Sequence, residues 1–131
     1  MKTKLLTLAA ITMGILSMTS AHAATCANGA GTVVTAKDGH EYCMSGRDYN
    51  WWSAYAWCEA QGRHMPSMYE LCPGWDGSIG WNNQCSNTTS EFQDYLWTST
   101  AYKDNHAFRV TGSAVVTDNR TVTVNTRALC Y

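Results

Sequence analysis

Few residues of this chain carry charge, and no stretch of it is basic. Its 131 residues include nine Lys+Arg and ten Asp+Glu. Without clustered Lys/Arg nothing displaces counterions from a phosphate backbone, so nucleic acid is excluded as a partner. The same shortage excludes a polybasic membrane-surface module. Internal repeats, low-complexity blocks and linkers are also missing, which leaves one domain. Catalytic signatures are absent too: there is no G-x-S-x-G, no H-E-x-x-H and no phosphate loop, and His40, His64 and His106 are scattered. Zinc needs C-x2-C spacing or close Cys/His clusters, whereas successive cysteines here lie 17, 15, 14, 13 and 45 residues apart. Carboxylate pairs such as Asp48/Glu59 and Glu91/Asp94 read as solvated helix faces. We expect no enzyme, no cofactor and no metal.

What is present begins with an address label. Lys2 and Lys4 precede the apolar stretch Leu5–Met18, and Ala21-His22-Ala23 reads as a cleavage site. Residues 1–23 are therefore expected to be a cleaved signal peptide of bacterial style, and residues 24–131 a single mature domain. The apolar stretch falls short of the roughly 20 residues a membrane span needs, and no later segment is apolar enough. The expected location is the periplasm, the cell surface or the medium of a bacterium. Loss of Lys2 and Lys4 leaves seven Lys+Arg against ten Asp+Glu, a net charge of −3. All six Cys and all fifteen aromatics (six Trp, seven Tyr, two Phe) lie after the leader, a composition that excludes disorder. An even cysteine count in an oxidising compartment implies disulfides, with fifteen connectivities open. Asn87-Thr88-Thr89 and Asn119-Arg120-Thr121 match the glycosylation sequon, a coincidence in a bacterial export.

Along the chain, Thr32-Val33-Val34-Thr35 predicts a short hairpin turning at Asp38-Gly39. The stretch from Asn50 to Gln61 is the best helix. Asn50 can cap it, Gly62 can end it, and Trp51, Ala54/Tyr55 and Cys58 share one face. Ser67 and Glu70 form an S-x-x-E capping box on a second, shorter helix starting near Pro66. Pro73–Thr89 is a Gly/Asn-rich loop carrying Trp75 and Trp81, and Ser90–Gln93 could form another helical turn. From Leu96 onward the residues predict strands at Leu96–Tyr102, His106–Thr111, Ala114–Thr117, Thr121–Asn125 and Arg127–Tyr131. Helices first and strands later give an α+β class.

Trp51-x-x-Ala54-x-x-x-Cys58-x-x-x-Gly62-x-x-Met65-Pro66-Ser67 resembles the first-helix signature of C-type-lectin-like domains. Leu96-Trp97-Thr98-Ser99-Thr100 is similar to that family's "WIGL" strand, and more so to the "WSST" of a bacterial surface and secreted branch. Arg127-Ala128-Leu129-Cys130 is similar to that branch's final "RVRC". The resemblance spans residues 26–131. It implies two short helices packed on an antiparallel sheet, an N-terminal hairpin, and terminal strands lying side by side. It further implies pairing of Cys26 with Cys43 and of Cys58 with Cys130, to which closure of the Gly/Asn loop adds Cys72 with Cys85. Closing the loop of about 70 residues from Cys58 to Cys130 would contribute about 4 kcal/mol. Trp51, Trp57 and Trp97 are expected in the core. The family's calcium-bearing E-P-N or Q-P-D triplets are absent, so calcium-dependent sugar binding is not expected.

Two loop groups are candidates for recognition. One is Trp75, Asp76, Trp81, Asn82 and Asn83. The other is Tyr102, Asn105, Asp118, Asn119 and Arg120, with Lys103, Asp104 and His106 beside them. Indoles stack on the C–H faces of sugars and amides pair their hydroxyls; Tyr, Asn, Asp and Arg also suit protein recognition. The expected function is a secreted, adhesin-type module that binds a glycan or surface protein without calcium. The alternative is a structural or tip subunit of a bacterial surface assembly such as a pilus, with a further variant in which the binding loops are diversified.

Overall fold

Near-continuous apolar strands such as Ala107-Phe108 and Val110 need cover on both faces of their sheet. The computed structural model describes Cys26 and residues 31–131, so the leader and its cleavage site lie outside the described residues. The chain forms strands β1 (Gly31–Thr35) and β2 (Glu41–Asp48), then helices α1 (Trp51–Ala60) and α2 (Met68–Leu71). Four further strands follow: β3 (Tyr95–Tyr102), β4 (His106–Thr111), β5 (Ala114–Asn119) and β6 (Thr126–Cys130). It is a small α+β domain built on one six-stranded sheet of order β1-β2-β6-β3-β4-β5.

The sheet is mixed, which corrects the expectation of a wholly antiparallel one. β6 pairs antiparallel with β2 but parallel with β3, through Tyr95↔Thr126 and Leu96↔Arg127. One consequence overturns a second expectation. β5 and β6 point the same way, so the link between them must travel back over a sheet face. Residues 120–125 make that return and form no strand, although Thr121–Asn125 has strand composition. Val122 sinks against the core on the way, while Val124 stays exposed.

Side chains alternate between two cores, as the pleat requires. Tyr42, Met44, Leu96, Phe108, Val110 and Leu129 face α2 and the long loop after it. Cys43, Trp97, Ala107, Ala128 and Cys130 face α1. Trp97 is fully buried as expected, whereas Trp51 and Trp57 are only half-buried against this second core. Disulfides join Cys26 to Cys43, Cys58 to Cys130 and Cys72 to Cys85, the three pairs anticipated. The second pins α1 onto β6 and the third closes the base of the long loop.

Local chemistry sets the helix limits. The Asn50 side chain accepts from the Ser53 amide at 2.8 Å, and Gly62 takes the left-handed conformation just past the end of α1. At α2, Ser67 and Glu70 exchange the two capping-box bonds. The helical turn expected at Ser90–Gln93 is only a turn, because Glu91 is drawn off to accept from the Thr35 amide on the edge strand (2.8 Å). Asn87 is buried, donates to the Leu71 carbonyl and accepts from the Asp38 amide. That placement commits the sequon's asparagine to joining the end of α2 to the β1–β2 turn.

Candidate ligand-binding site

The long loop closed by Cys72 and Cys85 lies along the free edge of β5. Gly80 exchanges backbone bonds with Val115 (2.9 Å each), and the Cys85 amide donates to the Ser113 carbonyl. The loop thereby covers an edge that would otherwise template aggregation. It also acquires a fixed shape. Gly74, Gly77 and Asn83 all adopt positive φ, which only glycine and short polar residues take readily.

The first candidate group divides in this setting. Trp75 is only 8% exposed, its ring edge-on to Phe108 at 4.9 Å and its Nε1 donating to the Ser78 carbonyl. Trp75 belongs to the core, and the contact role expected of it is corrected: an indole with one strong donor is best hidden once that donor finds a carbonyl. Trp81 is 65% exposed. Asp76, Asn82 and Asn83 come together with Gly74, Ser78 and Gln84 around a polar recess of about 210 Å³. Asp76 is held in place by accepting from the Ser78 amide, and Ser78 holds its carboxyl below the usual carboxylate range. Gln84 contributes the least expected feature. Its Oε1 is closed off from solvent and has no hydrogen-bond partner among the described residues. A buried, unpaired acceptor costs about 1–3 kcal/mol, and the Gln84 amide is packed against Gly80, where an added Cβ would meet it. Gln84 was invisible in sequence because its amide matters only after Gly80 and Asn82 fold around it.

The second candidate group lies at the other end of β5 and also divides. Asp118 makes an ion pair with Arg109 at 2.5 Å. That guanidinium is buried, lies 4.3 Å over the Tyr95 ring and donates to Thr126. Burial pushes its pKa down, with Asp118 opposing. Asp118 therefore neutralises a buried cation and is structural. Tyr102 packs edge-on to Phe108 at 5.2 Å, on the α2 face. Both residues remain half-buried, with Asp118 committed to Arg109 and Tyr102 to Phe108. The remaining three do meet: the Arg120 amide donates to the Asn105 carbonyl (2.9 Å), and the Asn105 side chain donates to that of Asn119 (3.4 Å).

Next to them stand aromatic side chains of α1. Trp52 and Tyr55 are 45% and 39% exposed. Four aromatics within seven residues of one helix cannot share a single buried face, and Tyr55, grouped with Trp51 on the core face in sequence, is one of those left outside. A third feature is a wide depression of about 770 Å³ beside Tyr131. His40 bonded to Asp38 (2.9 Å) and His64 bonded to Glu70 (2.8 Å) both place their rings about 5.4 Å from the Tyr131 ring. Tyr131 and His64 also exchange backbone bonds, so these groups are engaged in holding the last residue. Among the described residues no cluster of three or more His, Cys, Asp or Glu could hold a metal ion. No helix of the described residues is long and apolar enough to cross a membrane.

No family model, curated protein or solved structure matches this chain.

Proposed function

We propose that the mature chain is an exported, non-enzymatic carbohydrate-binding module of C-type-lectin-like character that works without calcium. One observation carries the reading. A polar recess is lined by Asp76, Ser78, Asn82, Asn83 and Gln84, and the residue next to Asn82 in the chain is Trp81, an indole that is 65% exposed. The volume of the recess is below the about 300–1,000 Å³ of drug-sized sites and suits a single sugar ring. Asp76 and the Asn82 and Asn83 amides pair ring hydroxyls, and Trp81 covers a C–H face. The Cys72–Cys85 closure and the Gly80–Val115 bonds order the loop before the ligand arrives, which lowers the entropy lost on binding. Three disulfides and a leader that ends before the first cysteine support export.

A glycan array probed with oxidised protein in the presence of chelator tests this. The expected result is binding to a restricted set of glycans, weakened at least tenfold by Trp81→Ala and by Asn82→Ala with unchanged melting. No binding to any glycan, or undiminished binding by both variants, would overturn it.

A further inference from the structure

We propose a second binding site on the opposite end of β5, selective for sugars that carry a carboxylate, with Arg120 as the reading group. The claim shares its ligand class with the carbohydrate-binding reading but rests on different residues. Arg120 lies with its guanidinium carbon 4.4 Å over the Trp51 ring. Tyr55 stacks on the same indole at 5.4 Å and 24°, and Trp52 meets it edge-on. Arginine on an aromatic plane keeps its donor edges in a fixed fork that matches a carboxylate bidentately.

The fork is held from both sides. The Arg120 amide donates to the Asn105 carbonyl and its carbonyl accepts from the Trp51 amide (3.0 Å), so one residue bridges the β3–β4 turn and the start of α1. Trp51 is anchored through its Nε1, which donates to the Thr98 carbonyl at 2.9 Å. Nε of Arg120 is closed off from solvent, which leaves the two terminal nitrogens as the bidentate pair, and among the described residues the guanidinium makes no ion pair. The carboxylate two residues earlier, Asp118, is committed to Arg109. On a chain with a net negative charge, an arginine left without a carboxylate partner beside exposed aromatics is matched by an external anion. The exposed faces of Trp52 and Tyr55 and the Asn119 and Thr121 side chains make that anion a carboxylated sugar. The aromatics take the apolar face of the ring, and the Asn119 side-chain nitrogen, fixed because its oxygen accepts from Thr121 and Asn105, donates to a ring hydroxyl.

Two pairs of probes separate the sources of such a carboxylate: trigalacturonate against its methyl ester, and 3′-sialyllactose against lactose. Calorimetric titration of oxidised wild type is expected to show at least tenfold tighter binding of one acid than of its neutral counterpart. Arg120→Gln should abolish that difference, Arg120→Lys should lose most of it because the planar fork is gone, and Trp81→Ala should leave it intact. Melting curves of the three variants confirm folding. The inference is overturned if neither acid is preferred, or if Arg120→Gln keeps the preference. A preference lost in Trp81→Ala and kept in Arg120→Gln would assign the acid to the loop recess, leaving the carbohydrate-binding reading intact and this one refuted.

Discussion

Two indoles six residues apart have opposite fates, and the difference rests on single contacts. Trp75 finds the Ser78 carbonyl and the edge of Phe108, whereas no carbonyl of the described residues receives Trp81, which remains exposed. Trp75→Ala is expected to cost about 3–5 kcal/mol of folding free energy, as for other buried large-to-small changes. Trp81→Ala should change stability by no more than about 0.5 kcal/mol. Urea denaturation of the two variants checks both. Gly31 is the other residue with no freedom to change. A Cβ there would lie 2.6 Å from the Met44 carbonyl oxygen and 3.0 Å from the Trp57 ring. Since backbone cannot swing aside, Gly31→Ala should destabilise by about 1–3 kcal/mol, read from the same denaturation curves.

At the scale of elements, the disulfides and the Tyr131 contacts make separate predictions. Cys58–Cys130 spans 72 residues and Cys72–Cys85 spans 13. By loop-closure entropy the first contributes about 4 kcal/mol and the second about 3 kcal/mol. Removing the first pair with Cys58→Ala and Cys130→Ala should therefore lower the melting temperature more than removing the second pair. The Tyr131 contacts should make the fold acid-sensitive. Burial raises the pKa of Glu70, but bonds from Ser67 and His64 outweigh it, and the net shift is downward. Asp38 is likewise lowered on balance, burial being opposed by His40 and Asn87. A carboxylate whose folded pKa is depressed stabilises above its unfolded value and stops doing so as pH falls through its folded value. Stability should thus be flat above the ordinary values of 4.5 for Glu70 and 3.8 for Asp38 and decline below them. Glu70→Gln should remove part of that decline in melting curves taken from pH 6 to pH 2.

Over the whole molecule, the fold class, the helix caps, the terminal hairpin and four of the five later strands were legible because each has a local cause. Asn50, Ser67 with Glu70, and the Asp38-Gly39 turn act over a few residues. The return at residues 120–125 was not legible. Its Val and Thr content favours a strand, and only the parallel pairing of β3 with β6 forces it off the sheet. The candidate site was legible in part for the same reason. Asn82, Asn83 and Trp81 stand out in sequence, whereas the unpaired Gln84 oxygen and the Arg120–Trp51 stack arise from contacts between distant segments. Amide-based recognition has a consequence for metals as well: melting with excess calcium and with chelator should coincide, and a rise of several degrees with calcium would show a site assembled from distant oxygens.

The most direct test of the account is a titration of the isotopically labelled, oxidised protein with a neutral glycan that it binds on the array, followed through tryptophan indole and side-chain amide signals. The account predicts that the Trp81 indole and the Asn82, Asn83 and Gln84 amides shift together. The Trp75 and Trp97 indoles, bonded to the Ser78 and Tyr49 carbonyls, should stay still. Shifts confined to other residues, with the Trp81 and Gln84 signals unmoved at saturation, would contradict it.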